Sequence, residues 1–148
     1  FIEPEEYTTC TRDDFAPVQQ HVEPKVGLRE AALVKALMEE AATKGAPLVR
    51  HPMLHYPDDQ AVYSLKQQFM LGADFMIAPV VDEGATSVTL YLPAGSWTHL
   101  WSGEVYGDSE AGTELTIDAP IGEPAVFFRT DSTWGASLRE TLKARNVL

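Results

Sequence analysis

Residues 63–81, YSLKQQFMLGADFMIAPVV, hold the change of texture on which the fold turns. Before Gly72, the apolar residues Val62, Leu65 and Phe69 recur at helical spacing, and a glycine can end a helix by taking the left-handed conformation. After it, DFMIAPVV is nearly all apolar, as expected of a buried strand. The segment therefore predicts a helix over about 60–71 and a strand from 74 onward.

Working outward toward the N-terminus, residues 27–44 (GLREAALVKALMEEAATK) read as an amphipathic helix. Leu33, Leu37 and Ala41 form its apolar stripe, with Val34 and Met38 alongside, and Lys44 and Gly45 end it. Between the two helices, Pro47, Pro52 and Pro57 exclude a helix from PLVRHPMLHYP, which reads as extended chain. Asp58 and Asp59 then offer an N-cap. Residues 1–25 show no period, carry three prolines, and read as loop or linker.

Toward the C-terminus, TSVTLYLP alternates, with Val88, Leu90 and Leu92 on one face. A Pro93-Ala94-Gly95 turn leads into Trp97–Trp101, and 115–119 and 125–129 read as two further strands. Five short strands at this spacing predict a small antiparallel sheet or sandwich. Residues 132–148 read as a closing helix, with Ser132 as a cap and Trp134, Leu138 and Leu142 on one face. The fold class is α+β.

The 148 residues suit one domain with a real core. Net charge is −11, and residues 51–128 hold one base, Lys66, against eleven acids. Nucleic acid and an anionic membrane surface both require clustered Lys and Arg, so neither is an expected partner. The single cysteine, Cys10, excludes an internal disulfide and a cysteine zinc site, and the composition favours the cytoplasm. No cofactor is expected. A chain that opens on Phe1 rather than Met reads as processed, or as a piece of a longer protein.

Candidate chemistry concentrates in Arg50-His51-Pro52-Met53-Leu54-His55-Tyr56-Pro57-Asp58-Asp59. On a strand, His51 and His55 share a face but stand roughly 13 Å apart, too far to share one metal ion. Hydrogen-bonded structural histidines are the preferred reading, and no metal site is expected. Arg50, in an apolar stretch, reads first as an ion pair with Asp58 or Asp59 and second as a substrate contact. Asp58-Asp59 could be paired carboxylates for glycoside hydrolysis, but at a helix start they read better as caps. Trp97, His99 and Trp101 form an aromatic stripe that either stacks on sugar rings or, the preferred reading, packs against a neighbouring sheet or domain. No phosphate-binding glycine loop and no G-x-S-x-G elbow is present.

The blocks GAPLVRHPMLHYPDD, YSLKQQFMLGADFMIAPVV, LYLPAGSWTHLWSGEVYGD and APIGEPAVFFR, in this order over about 28–130, resemble the C-terminal part of glycoside hydrolase family 31, the α-glucosidase and α-xylosidase family. HYPDD and the tail RTDSTWGASLRETLK look most like bacterial sulfoquinovosidases. The resemblance implies the end of a (β/α)8 barrel over 26–73, with the last barrel strand in PLVRHPMLHY. It further implies a proximal β-sandwich over 74–131 and a C-terminal helix over 132–148. It also implies an α-linked sugar substrate for the full-length enzyme and an N-terminal barrel that completes this chain. In the family, the nucleophile and the acid/base are aspartates on earlier barrel strands. Neither motif occurs here, so no catalytic residue is assigned. Arg50-His51 stands where many members have Arg-Pro, and residues 1–25, His21 included, do not match the family's upstream histidine segment.

Two functional readings follow. The chain is either the C-terminal portion of a retaining α-glycosidase, inactive alone, or a non-catalytic carbohydrate-binding or structural β module. A minor third is a divergent protein with a lost active site. In the first reading, Arg50, His51, His55, Trp97 and Trp101 are the candidates for substrate contact, and a sulfonate would be bound outside 51–128. The helix stripe would lack its barrel neighbours, which predicts exposed apolar surface or self-association.

Overall fold

A computed structural model describes residues 28–148. The loop reading of 1–25, with Cys10 and His21, lies outside the described residues. Helix α1 (Leu28–Lys44) leads to strand β1 (Val49–Arg50), two 3-10 turns (Pro52–Leu54 and Gln60–Ser64), and strands β2 (Phe69–Leu71) and β3 (Phe75–Ala78). Then come β4 (Ser87–Leu92), β5 (Trp97–His99), β6 (Val105–Tyr106), β7 (Thr113–Asp118), β8 (Ala125–Arg129) and helix α2 (Thr133–Ala144). Every strand pairing is antiparallel. Six strands form one sheet in the order β1-β2-β3-β8-β5-β6, and β4 and β7 form a separate two-stranded ribbon.

Period-two alternation divides the interior into two cores, one on each face of the large sheet. Phe75 pairs with Phe128, and the next register pairs Met76 with Phe127. Phe75 and Phe128 pack with Leu33 and Leu37 of α1, Leu142 of α2, and Leu100. Met76 and Phe127 point the other way, into a core with Met70, Trp97, and Leu90 and Leu92 of the ribbon. The order across the molecule is helices, six-stranded sheet, ribbon, and the α+β class follows.

Helix α1 stops where expected: the Gly45 N–H reaches the Ala41 carbonyl at 3.0 Å, with Gly45 at φ 72°. Leu33 and Leu37 are buried, while Val34 and Met38 lie exposed. In α2, Ser132 caps the helix by accepting the Gly135 N–H at 3.1 Å. Gly135 rather than Trp134 begins the inward stripe, because the helix lies directly on Phe128 there: a Cβ on Gly135 would collide with that ring. The helix ends at Ala144, short of the full 132–148 tail.

Two expected elements differ. The helix over 60–71 is absent: a 3-10 turn covers 60–64, and Phe69–Leu71 is strand β2, paired with β1 and β3. Hydrogen bonding to two neighbouring strands outweighs the helical spacing of Val62, Leu65 and Phe69. PLVRHPMLHYP is extended only at Val49–Arg50, and Pro52 then starts a 3-10 turn capped by His51. The 73/74 boundary drawn from sequence falls inside the β2–β3 hairpin of a single sheet. Among the described residues, no helix is long and apolar enough to cross a membrane.

Candidate functional site

Arg50 is only 4% exposed, and each part of its guanidinium has a partner. Nε donates to the Pro47 carbonyl at 2.6 Å, Nη2 to Glu40 Oε2 at 2.6 Å, and Nη1 to His55 Nε2 at 3.1 Å. The ion-pair partner is thus Glu40 of α1, not Asp58 or Asp59. The guanidinium fork spans a helix carboxylate, a loop carbonyl and an imidazole at once, a geometry that suits Arg and not Lys. Glu40 also pairs with Lys44 at 3.6 Å, and the Arg50 hydrogen bond leads in holding its carboxyl below the ordinary range.

The histidines take separate structural posts. Arg50 carries only donors, so His55 Nε2 accepts and its ring proton sits on Nδ1. Burial, reinforced by the Arg50 charge, pushes the His55 pKa down. His51 Nε2 donates to the Leu65 carbonyl at 3.0 Å, and its Nδ1 accepts the Met53 N–H at 3.3 Å. Both ring nitrogens are engaged within the fold, Nε2 by its proton and Nδ1 by its lone pair. Among the described residues, no group of three His, Cys, Asp or Glu could hold a metal ion.

The two aspartates also separate. Asp59 Oδ1 accepts the Ala61 N–H at 3.0 Å and caps the short turn, while Oδ2 accepts the Tyr91 hydroxyl at 2.7 Å. Burial and this bond push Tyr91 up to about 12. Asp58 is exposed. Of the two, only Asp59 acts as the expected cap, and it does so on a 3-10 turn.

The aromatic stripe is split. Trp97 is fully buried, and its indole N–H donates to the Pro93 carbonyl at 2.9 Å. The Arg129 guanidinium lies 5.9 Å from its ring centre. Buried on all sides, Trp97 has no face for a sugar. Trp101 lies past the end of β5, half-buried, with its N–H on the Pro124 carbonyl at 2.6 Å. His99 is 6% exposed and packs against Phe127 with the rings tilted by 39° and 5.0 Å between ring centres.

Sequence reasoning missed two residues. Glu40 reads as a solvated helix residue, and nothing local marks it as Arg50's partner. Gln68 is buried in the QQ pair before β2. Its amide Oε1 accepts the Tyr91 N–H at 2.8 Å and its Nε2 donates to the Tyr91 carbonyl at 2.6 Å, so one side chain imitates a strand and ties the ribbon to the large sheet. Arg50, His51, His55 and Asp59 of this cluster are thus all hydrogen-bonded within the fold.

Residues 45–133 match the glycosyl hydrolase family 31 C-terminal domain. The chain is 46% identical over 107 residues to the sulfoquinovosidase of Escherichia coli strain K12, covering 70% of this chain and 15% of that protein. It is 42% identical over 104 residues to the sulfoquinovosidase of Agrobacterium fabrum, at the same coverage of each. Among solved structures, a family 31 sulfoquinovosidase from E. rectale superposes with a TM-score of 0.71 at 33% identity, over 78% of this chain and 17% of that one. The chain spans about 15% of the length of the curated relatives it matches. By this match and this fold, the chain belongs to glycoside hydrolase family 31, in its C-terminal domain region.

Proposed function

We propose that the chain serves as the C-terminal portion of a retaining α-glycosidase of the sulfoquinovosidase or α-glucosidase type. The observation that carries this reading is the 46% identity to a sulfoquinovosidase, confined to 15% of that protein's length. In this reading the two catalytic aspartates belong to a barrel outside the chain, and the chain itself closes and buttresses that barrel. Two features support it. Arg50, His51 and His55 all hydrogen-bond within the fold. Val34, Met38, Val49, Met53 and Leu54 leave apolar surface exposed around α1 and β1, suited to cover by barrel elements. Lys66 is the one base between 51 and 128, so a sulfonate would find its cations on the barrel.

The test is release of 4-nitrophenol from α-glucoside and α-sulfoquinovoside substrates by the chain alone. The expected result is no turnover above background. Turnover that survives substitution of both Asp58 and Asp59 would overturn the reading.

A further inference from the structure

The Pro52–Leu54 turn is tied to the molecule through the two residues that follow it. Tyr56 joins the core on the ribbon side: its hydroxyl accepts from Arg129 Nη1 at 3.2 Å, and its ring packs against Trp97. His55 joins the other side, through its 3.1 Å bond to Arg50. That bond is conditional. Arg50 Nη1 only donates, so Nε2 must be bare to accept, and a proton there would set two cations face to face. Arg50 does not yield, because it keeps its charge and is held at 2.6 Å by both Glu40 and the Pro47 carbonyl. The charges facing His55 are Arg50 from β1, Glu40 from α1 and Asp74 from the β2–β3 turn. Both carboxylates are already partnered, Glu40 by Arg50 and Lys44 and Asp74 by the Ser132 hydroxyl at 2.6 Å.

We propose that His55 is a proton-operated latch, which holds the Pro52–Leu54 turn against Arg50 when neutral and releases it when protonated. Burial and the Arg50 charge both oppose the proton. The latch therefore stays closed at pH 6.5 and opens as pH falls through the lower value of the folded chain. A single 3-10 turn is marginal by itself, so release also loosens the bonds inside it. These run from the Leu54 N–H to the His51 carbonyl and from the His55 and Tyr56 N–H groups to the Pro52 carbonyl. Met53 and Leu54 lie exposed on this turn, so opening it rearranges an apolar part of the surface. The pairing of β3 with β8 does not involve His55 and stays in place.

The test is NMR with hydrogen exchange on the ¹⁵N-labelled 148-residue chain between pH 8 and pH 5, following the His55 ring nitrogens and the backbone amides. His55 is expected to titrate below 6.5. With the same midpoint, protection at Leu54, His55 and Tyr56 is expected to fall about tenfold, the worth of one hydrogen bond. Protection across β3 and β8 is expected to hold. His55→Gln, whose amide oxygen accepts from Arg50 at every pH, is expected to keep the turn's protection flat over the whole range. Where that variant does not fold, coincidence of the two midpoints in the unaltered chain decides. Titration of His55 at or above 6.5, turn protection that ignores its midpoint, loss in β3 and β8 along with the turn, or the same loss in His55→Gln would each overturn the proposal.

Discussion

Arg50 shows how far a single residue can be read. A charged side chain in an apolar stretch signals a buried ion pair, and that much is legible from sequence. The partner is not, because Glu40 lies ten residues upstream on a helix and meets Arg50 only after the chain turns through Gly45. Two adjacent aspartates looked nearer in sequence, yet Asp59 is drawn toward Tyr91 instead. Arg50→Ala strips partners from His55, the Pro47 carbonyl and Glu40 together. Glu40 stays partly exposed at 29% and recovers water, so the full penalty of a stranded buried charge does not apply. The expected loss is about 2–3 kcal/mol in urea unfolding, most of it from the stranded neutral groups. Arg50→Lys recovers only part, since an ammonium cannot span the three acceptors in one plane.

Among elements, α1, α2 and strands β3, β4, β5, β7 and β8 were legible because their signals are local: a helical or alternating period, or a short apolar run bounded by turns. The 60–71 segment was not. Its apolar residues fit a helix as well as a strand, and the deciding interaction is the pairing of β2 with strands on both sides. Gln68 belongs to this scale as well, since it joins two sheets through the backbone of Tyr91. Gln68→Ala leaves the Tyr91 N–H and C=O unpaired between them. A loss of about 2–3 kcal/mol is expected, with hydrogen-exchange protection falling in β4 more than in α1. A uniform fall in both elements would mean that the amide does not couple the sheets. The candidate site was legible only in part. The Arg50–Asp59 run stood out as a polar cluster, but the part of His55 as an acceptor depends on the approach of Arg50, which no spacing reveals.

For the whole molecule, the histidines set an acid limit. His55, facing Arg50, Glu40 and Asp74, and His99, facing Glu104 and Glu123, both bind protons less readily folded than at their ordinary 6.5. The unfolded chain therefore takes up protons near pH 6.5 that the folded chain refuses. Their contribution to stability is complete above that pH and declines as pH falls through 6.5 toward the folded values. Glu40 acts lower: its contribution holds above its ordinary 4.5 and is lost as pH falls below that. Tm is expected to drop between pH 7.5 and 5.5. His55→Gln, which keeps an acceptor for Arg50 but does not titrate, should flatten part of that drop. An unchanged slope in this variant would remove His55 from the account.

In the proposed function, this chain supports an active site built elsewhere. The most direct measurement replaces the matching segment of the E. coli sulfoquinovosidase with residues 45–133 of this chain and assays hydrolysis of 4-nitrophenyl α-sulfoquinovoside. A folded chimera that retains turnover, beside an isolated chain that shows none, is the predicted result. A folded chimera without turnover, or hydrolysis by the isolated chain, would contradict it.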